Sequence, residues 1–269
     1  MSAGLRYERL MNGRIWRRYE RSTGETVAVW APSFFNDDFL GNNSFGTSPG
    51  AGSVWINAKT SNAVAGLVAS GKNGRAQTDT GATTAQGEYA LLYQGVAASG
   101  VMHWSLYDSL GSPTGLQVEM AVVLNTADAS KISAMFGIGD TPAKDGTSHK
   151  ITYGSYGAVV HLDGSLTPTL RTADGTNTGT GSGTALTSKT IATGKTTIFR
   201  IDLSDPSNVK FYQDGVRQGA GTVFDMSAIA AANDKFGPFF GVSLVSASSP
   251  PRSVLAVDYV RIWSGRSAA

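Results

Sequence analysis

The sequence predicts an all-β fold, an antiparallel sandwich of two sheets, on three observations. The chain carries 33 glycines and only 16% charged residues, which suits short strands joined by many turns. Several stretches alternate apolar and polar residues with a period of two, the mark of a strand with one buried face. No amphipathic stretch is long enough for a major helix; Met226 to Asn233 is expected to form one short helical turn. At 269 residues the chain can bury a full core, and one large domain with appendages is expected ahead of two ordinary domains.

Residues 1–35 stand apart as a basic leader, with Arg6, Arg9, Arg14, Arg17, Arg18 and Arg21 against Glu8, Glu20 and Glu25. Within it, Arg14–Arg21 and Thr26–Trp30 flank Ser22-Thr23-Gly24-Glu25, a hairpin pattern in which Gly24 supplies the positive φ. Two readings stay open: a first hairpin of the main domain, or an arm that docks on a partner. Arginine and aromatic residues are enriched at interfaces, so the docking residues of such an arm are Arg6, Arg9, Arg14, Trp16, Arg17, Arg18, Tyr19 and Arg21. The main domain is placed at residues 36–269.

From Asp37 to Gly115 short apolar clusters, among them Val54-Trp55-Ile56 and Tyr89 to Tyr93, suit short strands. Leu116, Val118, Met120, Val122 and Leu124 then alternate with Gln117, Glu119 and Asn125. Phe199, Ile201 and Leu203 alternate with Arg200, Asp202 and Ser204, and Asp205 to Asn208 follow as turn residues. The next strand ends at Asp214-Gly215, a strong hairpin signal leading into Val216-Arg217-Gln218. Phe239 to Leu244 and Val254 to Trp263 complete the strands, whereas the Gly/Thr/Ser-rich residues 172–188 are expected to form a flexible surface loop.

A net charge of +2 implies neither a nucleic-acid nor a membrane partner. With no cysteine, stability cannot rest on disulfides or a thiolate metal site. No run approaches the roughly 18 apolar residues of a membrane span, and the N-terminus lacks a signal-peptide pattern, so synthesis in a cytoplasm is expected.

The segment FRIDLSDPSNVKFYQDGVRQ at 199–218, followed by SVLAVDYVRIW at 253–263, resembles the closing half of concanavalin A-like lectin and glucanase domains. LQVEMAVVLN at 116–125, MFGIGD at 135–140 and NDDFLG at 36–41 resemble that fold as it occurs in tailed-phage virion proteins. The resemblance spans about Asp37 to Trp263 and implies a two-sheet concanavalin A-like jelly roll. Retaining glycanases of this family present Glu-x-Asp-x-x-Glu on one strand face; the strand taken as comparable has Glu119, but Ala121 and Leu124 fill the other two places. Related domains hold a structural calcium between the domain start and the last strand, which makes Asp37, Asp38 and Asp258 candidate ligands here. Lectin sites on this fold set an aromatic plate beside Asp and Asn, and the candidates for that role are Trp104, Tyr107, Asp108, Tyr153 and Tyr156.

Other chemistries find no support. Gly66 to Asn73 nearly spells a phosphate loop but has Asn73 where the metal-binding hydroxyl belongs, and Gly154 to Gly157 is one residue short of a nucleophile elbow. His103, His149 and His161 lie too far apart in sequence to suggest a zinc site and are read as surface or packing residues. The resulting expectation is a non-enzymatic virion protein that decorates or cements a capsid, or forms a head fibre, through its arm. Its partners would be the major capsid protein or another virion protein, and further copies of itself. The alternative is a carbohydrate-binding lectin or adhesin module with a glycan as partner.

Overall fold

Side chains alternate between a shared interior and an outer surface along each long strand, and that alternation places two sheets face to face. The computed structural model describes residues 6–9, 16–19, 26–27, 33–39, 45–46, 54–68, 74–82, 85–94, 104–108, 111–175, 185–229, 235–246 and 252–264. Among these, the first large sheet runs in the order β19 (Val216–Gln218), β18 (Lys210–Gln213), β17 (Thr196–Leu203), β10 (Leu116–Asn125), β21 (Val254–Ser264), β8 (Ala76–Asp79) and β7 (Val64–Leu67). Strand β4 (Ser33–Asp37) pairs with the far half of β21. The second runs β16 (Ala185–Thr187), β15 (Thr169–Asp174), β14 (Tyr156–Asp163), β11 (Ile132–Gly139), β20 (Gly237–Leu244), β9 (Tyr89–Tyr93), β6 (Trp55–Lys59) and β5 (Phe45–Gly46). Pairing is antiparallel except between β5 and β6.

The core lies between the sheets. Leu116, Val118, Met120, Val122 and Leu124 of β10 bury against Ala134, Phe136 and Ile138 of β11, and Phe136 meets Phe199 edge-on at 5.2 Å. Each large side chain buried in this way contributes about 1.5–3 kcal/mol relative to exposure. The Asp214-Gly215 hairpin forms as expected, with positive φ at both residues (50° and 78°).

Three elements differ from expectation. Strand β15 reaches Asp174 and β16 occupies 185–187, so the stretch expected as loop carries strand at both ends because its backbone pairs across Thr169–Thr187 to Arg171–Ala185. Met226 to Ile229 forms a turn, closed by Ile229 N donating to Met226 O at 3.4 Å, and the remainder of that expected helical turn falls outside the described residues. Strand β4 begins at Ser33, so the expected 35/36 domain boundary falls inside a strand.

In the leader, β1 (Arg6–Arg9), β2 (Trp16–Tyr19) and β3 (Thr26–Val27) form a three-stranded sheet. The register pairs Arg6 with Tyr19, Tyr7 with Arg18, Glu8 with Arg17 and Arg9 with Trp16. Strands β2 and β3 supply the expected hairpin; Arg14, Arg21 and Gly24 lie outside the described residues.

Candidate functional site

Ionisable groups whose pKa is shifted by burial are candidates for a functional site, although Tyr259 on the first sheet is shifted as well. Here Tyr93, Asp140, Tyr153 and His161 all lie on or beside the outer face of the second sheet. That face is built from register rows. One row reads Ala173, Gly157, Gly139, Gly237; the next reads Arg171, Val159, Gly137, Phe239, Tyr93, Ile56. A third reads Thr169, His161, Met135, Gly241, Leu91, Ala58.

The glycine row forms a trough, and the chain fills it with its own side chain. A small hairpin of β12 (Ala143–Lys144) and β13 (Ile151–Thr152) leads to Tyr153, whose ring seats over Gly139 and Gly157. A Cβ at Gly157 would lie 2.7 Å from Tyr153 Cδ2, and one at Gly139 2.9 Å from Tyr153 Cβ, so glycine is required at both positions. Ile151 and Tyr153 thereby join Leu91, Met135, Val159, Ala173 and Phe239 in a second apolar cluster. Lys144 lies 5.5 Å over the ring of Tyr89. The segment acts as a strap across the middle of the face and leaves its two flanks open.

Around Val159 three side chains hold buried polar atoms without a partner: Tyr153 Oη, His161 Nδ1 and Arg171 Nε. Ser133 Oγ accepts from Ile151 N at 3.4 Å and lies 2.9 Å from His161 Nε2, where the imidazole tautomer decides which of the two atoms donates. Burial holds the His161 pKa down at about 4 against the opposing pull of Asp163, and pushes the Tyr153 hydroxyl up to about 12. Burial also raises the Asp140 carboxyl, although Tyr156 N–H donates to it. Lys150 Nζ pairs with Asp163 at 2.6 Å on the open flank beside Arg171. Buried polar atoms without partners cost about 1–3 kcal/mol each, so three around one residue call for a polar occupant, water or ligand.

Of the five residues proposed to hold a glycan, only Tyr153 joins this face. Trp104 pairs with Phe236 through two backbone bonds (2.8 and 2.9 Å) and, with Tyr107 and Tyr156, packs against the main core. The carboxylate of Asp108 closes a turn by accepting from Ser112 N. Sequence reading missed Arg171, Asp140 and Asp163, and treated His161 as a packing or surface residue. The available signal was His161-x-Asp163 in period two with Gly157 and Val159 on β14.

The calcium candidates are held by other partners. Asp37 accepts from Trp55 Nε1 at 2.7 Å and from Phe39 N at 2.9 Å, and Asp258 pairs with Arg75 at 3.1 Å. Among the described residues no three His, Cys, Asp or Glu side chains converge as a metal site. Glu119 lies on the outer face of the first sheet, accepting from Tyr259 Oη (3.0 Å) and Arg261 (3.4 Å). Ala121 shares its face, whereas Leu124 turns into the core.

No family model matches the chain, and no curated protein matches it in sequence. Solved structures match it in fold. An endo-β-1,3-glucanase from Pyrococcus furiosus superposes with a TM-score of 0.55 at 16% identity, covering 96% of this chain and 97% of its own. Lectin II from Ulex europaeus gives 0.56 at 13% identity over 86% and 98%. A protein of unknown function from Shewanella oneidensis MR-1 gives 0.54 at 13% over 88% of both chains. The fold is therefore the expected concanavalin A-like jelly roll.

Two expectations are corrected by these matches. The exclusion of enzymatic activity rested on the missing carboxylate pattern of β10 and on the lack of other catalytic motifs; endo-glucanases share the fold over most of the chain, so a missing pattern on one strand of the first sheet does not rule out hydrolysis. The virion assignment, with its capsid partners, finds no support among the matched lectins and glucanases.

Proposed function

We propose that this chain binds carbohydrate, and that the binding surface is the outer face of the second sheet, along the flanks of the Ile151–Tyr153 strap. The observation that carries this reading is the group of three buried polar atoms without a partner around Val159, from Tyr153, His161 and Arg171, on a sheet that also bears Tyr89 and Tyr93. Sugars present ring faces that stack on aromatic side chains and hydroxyls that donate to or accept from such polar atoms; binding sites combine apolar walls with a few placed polar groups in this way. The resemblance of the fold to lectins and endo-glucanases raises the prior for this ligand class by analogy. Arg171, Thr169 and Asp163 are partly exposed on one flank, Tyr89 and Tyr93 on the other.

The test is a panel of β-glucan and galactose-containing oligosaccharides, scored for binding by calorimetry and for cleavage by release of reducing ends. Arg171→Ala should weaken binding of the best oligosaccharide by about tenfold, the size expected when a charge-assisted hydrogen bond is lost. Reducing-end release that depends on Asp140 or Asp163 would extend the reading from binding to hydrolysis. Absence of binding to every member of a broad panel would overturn it.

A further inference from the structure

The outer face of the first sheet carries a second set of chemistry that the carbohydrate reading does not use. One register row across it reads Arg217, Tyr212, Arg200, Glu119, Arg261; the next reads Lys210, Asp202, Gln117, Trp263. The Arg200 guanidinium stacks on the Tyr212 ring at 4.1 Å, and Arg217 lies opposite Tyr212 on the edge strand. Two arginines thus flank one tyrosine.

Among the described residues neither arginine enters an ion pair. Their carboxylate neighbours are engaged elsewhere: Glu119 accepts from Tyr259 and Arg261, and Asp202 Oδ1 accepts from both the amide and the hydroxyl of Ser204. Arg200 Nε and Arg217 Nε are buried with no acceptor. A stacked guanidinium is held in plane, which leaves its outer edge set for the two oxygens of an oxyanion.

The geometry points to Arg200, Tyr212 and Arg217 as an oxyanion-binding corner for the carboxylate or sulfate ester of an acidic polysaccharide. The charge pattern favours a sparsely charged chain. Glu119 and Asp202 sit immediately beside the corner, so a polymer with an anion at every step, such as a nucleic acid, would place phosphates against carboxylates. A polysaccharide with separated acid groups would instead meet Asp202 and Gln117 with its hydroxyls, and partly exposed Trp263 with a ring face. This corner lies on the opposite face of the sandwich from the proposed carbohydrate surface and stands independently of it.

The experiment titrates the full chain with an oligouronate, a sulfated oligosaccharide, the matched neutral oligosaccharide and inorganic sulfate. The corner predicts that at least one acidic oligosaccharide binds, that its affinity falls with added salt, and that the Arg200→Gln, Arg217→Gln double variant lowers it about tenfold or more. Binding of any neutral oligosaccharide should be unchanged by that variant. Arg217→Gln alone, at the sheet edge, keeps the test valid if the double variant fails to fold. Equal affinity for neutral and acidic chains, no effect of either variant, or inorganic sulfate matching the oligosaccharides would overturn the proposal.

Discussion

At the scale of single residues, the structure separates side chains that hold the fold from side chains that cost it stability. Asp37 belongs to the first kind. Its carboxylate satisfies the indole of Trp55, which is buried with Phe39 and Phe240 around it, and the amide of Phe39, held at a φ of 55°. Asp37→Ala leaves two buried donors unpaired and should cost about 2–4 kcal/mol in chemical denaturation, while Asp37→Asn should cost less. Tyr153 belongs to the second kind: its hydroxyl is buried without a partner, so Tyr153→Phe should leave the melting temperature unchanged or raise it while weakening oligosaccharide binding. His161 gives a pH dependence of defined sign. Its folded pKa of about 4 lies below the ordinary value of 6.5, so the unfolded chain takes up a proton that the folded chain refuses as pH falls through that window. Stability from this group should therefore decline between about pH 6.5 and pH 4, with a slope of at most about 1.4 kcal/mol per pH unit, and His161→Gln should abolish the slope. Asp140, whose folded pKa is raised, acts in the opposite sense and offsets part of the loss at the acid end.

At the scale of elements, the strap and β4 are the two places where a small change should move a whole segment. Gly157→Ala would set a Cβ 2.6 Å from Ile138 O and 2.7 Å from the Tyr153 ring, so it should destabilise by about 1–3 kcal/mol and displace the strap, read as lost protection of strap amides in hydrogen exchange. A chain starting at residue 33 keeps the Ser33–Asp37 strand against β21, whereas one starting at residue 38 loses both the strand and Asp37, and only the second should melt markedly lower. Strands β10 and β17 were legible in the sequence because their outer faces carry Gln117, Glu119, Arg200 and Asp202, which keeps the period of two visible. Strands β11 and β20 are buried along their whole length, the strap covering what the core does not, so their alternation vanishes. The same covering hid the candidate site. Val159 and His161 share one face of β14, but Arg171 joins them only through the pairing of β14 with β15, and Tyr153 only through the strap.

At the scale of the molecule, one jelly roll offers two outer faces of different character. The second sheet turns out glycines, aromatics and unpartnered polar atoms around a strap; the first turns out arginines stacked on tyrosines among carboxylates. The two proposals give each face a saccharide, one through ring stacking and neutral hydrogen bonds, the other through an acid group. The proposed function requires a neutral sugar chain to dock on the second sheet. Its most direct measurement is backbone amide chemical-shift mapping of the full chain during titration with a neutral β-glucan oligosaccharide. Docking there predicts saturable shifts clustered on β9, β14, β15 and the Ile151–Tyr153 strap, with Arg171→Ala saturating only at about tenfold higher ligand. Saturable shifts confined to β17, β18 and β19, or no saturable shifts with any neutral oligosaccharide, would contradict it.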